Sequence, residues 1–308
     1  MNIALDCWFL TGPTASGKTA VAIELARVIN AEIVSMDSMA LYRGMDIGTA
    51  KPTPAERDAV PHHLIDVIAP SESYSVARYL AEATVAAEQI RGRGREVLFV
   101  GGTPLYLKAL LRGMFEGPEA DWGLRRSLEA DAQSGKLDLY AELASVDPVA
   151  AERLHPNDTR RLVRALEVCR LTGKPISELQ RQFDDAHPAR ATRVFELKWR
   201  REVLDQRIDT RVDRIFAEGL VAEVQGLLAG DRKLSHTARQ ALGYREVIEH
   251  LDDRHTLDET IELVKTHTRQ FARRQLTWYR SLSECQPVDC SHAISAKTIV
   301  TSICSSSE

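Results

Sequence analysis

Apolar residues fall along this chain in two rhythms. Short runs, Cys7-Trp8-Phe9-Leu10, Ala31-Glu32-Ile33-Val34-Ser35-Met36, Glu96-Val97-Leu98-Phe99-Val100 and Val194-Phe195-Glu196-Leu197-Lys198-Trp199, read as buried strands. His62-His63-Leu64-Ile65-Asp66-Val67, after Pro61, reads as an edge strand. Between these runs the spacing turns helical, with Val21, Ala22, Leu25, Ala26 and Ile29 on one face, and Tyr79, Leu80, Ala83, Ala87 and Ile90 inward on a helix from about Val76 to Arg91. Strands alternating with helices predict an α/β fold, a parallel sheet flanked by helices. From about Gly113 to Arg193 strand signals vanish. Leu124, Leu128, Leu143, Leu162 and Leu166 fall on helical patterns broken by Gly117-Pro118, Asp147-Pro148 and His155-Pro156, which predicts an all-helical insertion. The expected division is a core begun by residues 1–112, an insertion over 113–192, a core completed by 193–285 with basic helices, and a flexible Ser/Thr-rich tail over 286–308.

The turn after the first strand changes this from a generic α/β protein to a phosphate-binding one. Gly12-Pro13-Thr14-Ala15-Ser16-Gly17-Lys18-Thr19 matches G-x-x-x-x-G-K-[ST] at every fixed position and sits between a strand and a helix. Backbone N–H groups and the helix N-terminus would cradle a polyphosphate, Lys18 would bridge its oxygens, and Thr19 would hold magnesium. The core is therefore expected to be P-loop NTPase-like.

Asp37 follows the second strand, which places it near that loop. It is a candidate general base or an indirect magnesium partner, and a turn or helix cap is the plainer alternative. The punctuated stretch Leu41 to Pro52 is expected to be an ordered active-site loop. His62 and His63 invite a metal reading but lack a third ligand nearby, so structural or phosphate-facing roles are expected. The strand ending at Val100 runs into Gly101-Gly102-Thr103-Pro104, without the Asp that commonly orders water in a phosphate-loop hydrolase. ATP hydrolysis loses support; two glycines there would admit a ligand close to the backbone.

Composition narrows the partners. With 44% hydrophobic and 27% charged residues and no long apolar run, neither a membrane span nor a signal peptide is expected. The cysteines, Cys7, Cys169, Cys285, Cys290 and Cys304, read as free thiols in a reducing, cytoplasmic setting. A net charge of −4 argues against wholesale coating of nucleic acid, yet local basic surfaces stand out. Lys265, Arg269 and Arg273 lie along one side of a helix from about Leu257 to Leu282, with Arg274 and Arg280 close by, and Ile261, Val264, Phe271, Trp278 and Leu282 able to face the core. Arg160 and Arg164 share a face of a helix begun by Asn157-Asp158.

Gly12 to Thr19, Asp37-Ser38-Met39, Tyr42 to Pro52, Gly101-Gly102-Thr103, His155-Pro156-Asn157-Asp158, Gln240 to Glu246, and Thr268-Arg269-Gln270 with Arg273 to Trp278 together resemble the motifs of the bacterial tRNA dimethylallyltransferases, the tRNA isopentenyltransferases. The resemblance runs from the phosphate loop to about Arg280. It implies transfer of a dimethylallyl group from dimethylallyl diphosphate to N6 of the adenosine at tRNA position 37, in tRNAs reading codons that begin with U. It implies magnesium as cofactor, held by Thr19, and a diphosphate site formed by Gly12, Pro13, Thr14, Ala15, Ser16, Gly17, Lys18, Thr19 and Arg211. Catalytic roles would fall to Asp37, as acceptor of the N6 proton, to Thr103 and to Lys18. The anticodon stem-loop would meet Asp37, Ser38, Met39, Thr103, Arg125, Arg160, Arg161, Arg164, Gln240, Gly243, Tyr244, Arg245, Arg269, Arg273 and Arg274, with the helical insertion taking part, and a monomer is expected. The chain departs from the family pattern at Ala40 (usually Gln), Pro104 (usually Gly) and Thr159-Arg160-Arg161 (usually Pro-Gln-Arg). A nucleotide-kinase-type phosphotransferase, a prenyltransferase acting on free adenylate, and a tRNA-binding module with a relic loop are the competing readings.

Overall fold

The computed structural model describes residues 6–113, 117–118, 120–180, 193–230, 233–291 and 295–306. In chain order, β1 (Trp8–Thr11), α1 (Lys18–Val28), β2 (Ala31–Ser35), α2 (Pro54–Ala59), β3 (His62–His63), α3 (Val76–Gly92), β4 (Glu96–Gly101) and α4 (Pro104–Arg112) build the first part of the sheet and its flanks. Five helices follow: α5 (Trp122–Gln133), α6 (Leu139–Val146), α7 (Pro148–Arg153), α8 (Thr159–Thr172) and α9 (Ile176–Leu179). The sheet resumes with β5 (Val194–Lys198) and, after α10 (Arg201–Ala217), α11 (Leu220–Ala229), α12 (His236–Arg239), α13 (Tyr244–Leu251) and α14 (Leu257–Arg280), closes with β6 (Gln286–Asp289) and α15 (Ala296–Ser305).

The six strands are parallel, in the order β3-β2-β4-β1-β5-β6. Period-two alternation sends side chains to opposite faces. Phe9, Val34 and Phe99 join the apolar layer that includes Tyr79 and Ala83 of α3, whereas Leu10, Ile33, Leu98 and Phe195 meet Val21, Leu25 and Ala26 of α1. Phe9 lies directly opposite Phe99 in the ladder, and their rings stack with centroids 5.1 Å apart. Both faces are covered, which is why these strands read as continuous apolar runs rather than alternating ones. Because β2, β4 and β1 are neighbours, their carboxyl ends bring the turns at Asp37, Gly101-Gly102-Thr103 and the phosphate loop to one edge of the sheet.

The chain forms two compact units, Met1–Leu111 with Ala189–Glu308, and Arg112–Pro188. The second unit has its own apolar core, with Leu128, Leu143, Leu162, Val163 and Leu166 buried together. The expected return from the insertion near residue 192 lies outside the described residues.

Two sequence expectations are corrected here. The described residues of the segment 286–308, which leave out 292–294, do not form a loose tail: β6 extends the sheet beside β5, and α15 buries Ile299, Val300 and Ile303 in the layer around α1. Its Ser and Thr residues made it read as polar, but the apolar positions fall on one helical face. Ser307 and Glu308 lie outside the described residues. The edge strand after Pro61 shrinks to two residues, since Leu64 and Asp66 both take positive φ (59° each) and Asp66 is drawn into ion pairs with Lys51 and Arg57.

Candidate active site

The phosphate loop owes its shape to backbone conformations that most side chains resist. Gly12 (φ 148°) and Gly17 (φ 86°) take left-handed conformations, and Ala15 (φ 62°) joins them. A Cβ on Gly12 would also sit 3.0 Å from the Leu197 carbonyl. The half-buried Lys18 ammonium folds back over the loop, donating to the carbonyls of Gly12 (2.9 Å) and Pro13 (2.7 Å) and approaching Ser16 Oγ (3.4 Å). Burial first, and then the charge of Arg211, push this ammonium down to about 7, with Asp37 opposing the shift. Arg211 donates to the Thr49 carbonyl (3.2 Å), and its own pKa is lowered by burial while the Asp37 charge works the other way. Lys18, Arg211 and Asp37 therefore influence one another electrostatically, two basic side chains and one carboxylate, an arrangement suited to a polyanion with a proton acceptor beside it.

Asp37 forms the turn cap that the sequence offered as the plainer alternative. Its Oδ1 caps the following turn, accepting from Met39 N–H (2.8 Å) and Ala40 N–H (3.4 Å). Its Oδ2 makes no hydrogen bond to a described residue and so has capacity for a substrate proton. Thr103 belongs to the same corner: its Oγ1 accepts from Ser38 N–H (3.0 Å) and donates to Ser38 Oγ (3.3 Å), while its N–H donates to the Met36 carbonyl (3.2 Å). The two glycines before it are explained differently than expected. A Cβ on Gly101 would lie 2.1 Å from the Met36 carbonyl oxygen, and one on Gly102 would lie 2.8 Å from Gln275 Nε2, so protein rather than ligand fills both gaps. Pro104 opens α4, where its missing N–H costs nothing. Ala40 is buried.

The loop Leu41 to Pro52 is ordered by ion pairs that its own composition does not reveal. Lys51, with its side chain 2% exposed, donates to the Tyr42 carbonyl (2.5 Å) and to Asp46 and Asp66 (2.6 Å each). Glu223 of α11 accepts the N–H groups of Asp46, Ile47 and Gly48. Tyr244, expected to contact tRNA, is instead 1% exposed, with its hydroxyl on Glu223 and its ring 2.5 Å from where a Cβ on Gly48 would be. Gly243 (φ 88°) gives its N–H to Glu246, and Arg245 pairs with that buried carboxylate, so this motif braces the loop; Gln240 is exposed.

Other candidate cations divide in the same way. Arg125 and Arg164 clasp the buried Glu167 of α8, whereas Arg160 and Arg161 are exposed. On α14, Lys265 pairs with Asp213 (2.8 Å) and Arg269 with Asp209, both from α10; Arg273 and Arg274 are exposed and unpaired among the described residues. Phe271, expected inward, is 36% exposed.

Sequence reasoning missed the braces behind the phosphate loop. Trp199 Nε1 donates to the Ser16 carbonyl (3.0 Å), Arg207 Nε to the Ala15 carbonyl (2.8 Å) while stacking on Trp199, and Gln275 Oε1 accepts from Thr14 N–H (2.9 Å). Gln275 lies within the Arg273 to Trp278 motif and Trp199 ends a predicted strand, but the sequence shows none of these partners.

Thr19, in the first turn of α1, makes no side-chain hydrogen bond to a described residue, which leaves its hydroxyl for a hard cation. Among the described residues no group of three or more His, Cys, Asp and Glu could hold a metal. Magnesium readily takes its remaining ligands from phosphate and water, so the donor set fits it. His62 Nδ1 faces the Val60 carbonyl and His63 Nε2 faces Glu32, both at 2.7 Å, which gives the pair structural roles. No described helix is long and apolar enough to cross a membrane.

The IPP transferase family model matches residues 40–282. The chain belongs to the IPP transferase family. It is 49% identical over 288 residues to a tRNA dimethylallyltransferase of Rhodopirellula baltica, spanning 91% of this chain and 86% of the relative. It is also 49% identical over 274 residues to one of Geobacter metallireducens, spanning 89% of each. The crystal structure of a full-length tRNA isopentenylpyrophosphate transferase from Bacillus halodurans matches with TM-score 0.70 at 39% identity, over 98% of this chain and 97% of that one. A eukaryotic dimethylallyltransferase acting on tRNA matches with TM-score 0.76 at 29% identity, over 96% of this chain and 76% of that one. The P-loop-like core, a parallel sheet flanked by helices, is thus the core of an IPP transferase.

Proposed function

We propose that this protein is a tRNA dimethylallyltransferase, moving the dimethylallyl group of dimethylallyl diphosphate to N6 of the adenosine at position 37 in tRNAs that read codons beginning with U. The observation that carries the reading is that Lys18 of the phosphate loop and Arg211 of α10 both act electrostatically on Asp37, whose Oδ2 makes no hydrogen bond to a described residue. The phosphate loop, Lys18 and Arg211 bind the diphosphate and stabilise its growing negative charge as the allylic C–O bond breaks and the electron pair leaves with the diphosphate. The N6 lone pair forms the new C–N bond, and the N6 proton passes to Asp37 Oδ2, giving N6-dimethylallyladenosine and diphosphate. Thr103, bonded to the Ser38 N–H and hydroxyl, holds the Asp37 turn in place. Thr19 would hold magnesium, which supplies further neutralisation of the leaving group. The acceptor base must leave its stack, at a cost of a few kcal/mol that is smaller in a loop than in a duplex. Exposed Arg160, Arg161, Arg273 and Arg274 would meet phosphates of the anticodon stem-loop.

The test is incubation with labelled dimethylallyl diphosphate, magnesium, and either tRNA or AMP. Label should enter tRNA only. Transfer to AMP alone, or ATP consumption without prenylation, would overturn the reading and favour the free-nucleotide prenyltransferase or the kinase.

A further inference from the structure

Gln275 lies on α14 and is 2% exposed, shielded from solvent. Both ends of its amide are engaged. Oε1 accepts from Thr14 N–H of the phosphate loop (2.9 Å), and Nε2 donates to the Gly102 carbonyl (2.5 Å) in the turn after β4. Thr14 N–H can only donate and the Gly102 carbonyl can only accept, so the amide has a single workable orientation. Both partners are backbone groups, and the link therefore sets where two chain segments lie rather than where a side chain points.

The two segments are those with opposite tasks in the reaction. One cradles the leaving diphosphate; the other runs directly into Thr103, which holds Ser38 and the Asp37 turn. They are already close, since the vacant Cβ position of Gly102 lies 3.6 Å from both the Gly12 carbonyl oxygen and Lys18 Nζ. The same position is only 2.8 Å from Gln275 Nε2. Of the atoms around it, only the Gln275 amide excludes a methyl group. Two further bonds tie this region independently: Tyr279, one turn along α14, donates to the Gly12 carbonyl (3.3 Å), and Thr11 Oγ1 donates to the Gly101 carbonyl (3.0 Å). The fold thus retains supports when the amide is altered.

We propose that Gln275 is a positioning residue for prenyl transfer, a buried clamp that sets the spacing between the phosphate loop and the Gly101–Thr103 turn, and that Gly102 is glycine to make room for it. The proposal rests on the function put forward above. Transfer requires the amine nitrogen and the allylic carbon to meet at about 3–3.5 Å, and a misplacement of about 1 Å can cost about a hundredfold in rate. Each segment can still bind its own substrate when the clamp is removed; what suffers is their alignment.

The experiment compares wild type, Gln275→Leu, Gln275→Glu, Gln275→Ala, Gly102→Ala and the Gln275→Ala/Gly102→Ala double variant. It measures the single-turnover rate with both substrates saturating, the Kd of inorganic diphosphate, the Kd of tRNA, and the thermal unfolding midpoint. Gln275→Leu keeps the volume without the bonds, whereas Gln275→Glu keeps an acceptor for Thr14 N–H but sets a carboxylate against the Gly102 carbonyl. Both should slow the saturated single turnover by about 10- to 100-fold with each Kd within about threefold of wild type. Gly102→Ala should slow wild type similarly and change the Gln275→Ala background by less than about twofold. An unchanged saturated rate in the Gln275 variants, a rate loss that follows weaker diphosphate binding, or an undiminished Gly102→Ala effect in the Gln275→Ala background would overturn the clamp alone. A wild type that labels no tRNA overturns the functional reading as well. If Gln275→Leu does not fold, Gln275→Glu and the Gly102 cycle decide.

Discussion

The Tyr244 hydroxyl donates to Glu223 Oε1 over 2.6 Å, so that a tyrosine of α13 and a glutamate of α11 together hold a loop some two hundred residues earlier in the chain. The same carboxylate accepts Asp46 N–H (2.9 Å), Ile47 N–H (2.8 Å) and Gly48 N–H (3.2 Å). The next residue, Thr49, supplies the carbonyl that anchors Arg211. Replacing Glu223 with Gln puts an NH2 group among three backbone donors. The variant should lose about 2 kcal/mol of stability in urea unfolding, and its affinity for inorganic diphosphate should fall as Arg211 loosens. Wild-type stability and affinity would show that the loop is held elsewhere.

Asp37 and Lys18 should separate kinetically. Asp37→Ala is expected to lower turnover by about a hundredfold or more while leaving diphosphate binding largely intact, and Lys18→Ala chiefly to weaken diphosphate binding. Equal loss of binding in both variants would remove the general-base assignment.

Burial and Arg211 bring Lys18 to about 7 before any ligand is bound, against the opposing pull of Asp37. A bound diphosphate adds negative charge and raises that value, so binding should take up a proton where the free lysine is neutral and none where it is already charged. Calorimetry with inorganic diphosphate, run in buffers of different ionisation heat, should show about one proton more for wild type than for Lys18→Arg at about pH 8, and no difference at about pH 6. Equal uptake at both pH values would place Lys18 in its charged form throughout.

Desolvation alone would raise the Glu167 carboxyl, but hydrogen bonds from Arg125, Arg164 and Asp121 N–H hold it below its ordinary 4.5. A depressed carboxylate contributes stability that is present above the unfolded value and lost as pH falls through the folded one. Acid unfolding of the helical unit should therefore have a shallower pH dependence in Glu167→Gln, and that variant should be less stable by about 3 kcal/mol at neutral pH. Circular dichroism along an acid titration would check both.

On α14 the cations are not equivalent. Arg273→Ala with Arg274→Ala should weaken tRNA binding and reduce the slope of log K against log salt by about one for each phosphate that is no longer neutralised. Lys265→Ala should leave the slope nearly unchanged, because Asp213 and Glu262 already neutralise the ammonium. Salt titrations of tRNA affinity distinguish the two outcomes.

Local order and local chemistry were legible in the sequence. The phosphate loop is eight contiguous residues whose glycines and lysine each have a backbone or charge requirement, and the parallel strands announce themselves because burial on both faces leaves apolar runs. Asp37 and Thr103 could be named because strand ends in such sheets face one way. The C-terminal helix was misread because three buried residues, Ile299, Val300 and Ile303, are too few to outweigh serine and threonine in a composition. α14 read as a basic face because its neutralising partners, Asp209 and Asp213, stand on α10.

What tertiary structure alone decided are the links between distant segments. Gln275 meets Thr14 across 261 positions, Glu223 meets Asp46 across 177, and Tyr244 turns its ring onto Gly48. No periodicity or motif encodes such pairs, since each depends on which element packs against which. The sequence by itself determined an anion cradle on a parallel sheet with a carboxylate and a threonine beside it. The packing of α10, α11, α13 and α14 decided which cations remain free for a partner and which amide holds the cradle against the acceptor turn, because hydrogen bonds and ion pairs are settled only by side chains that arrive together in space.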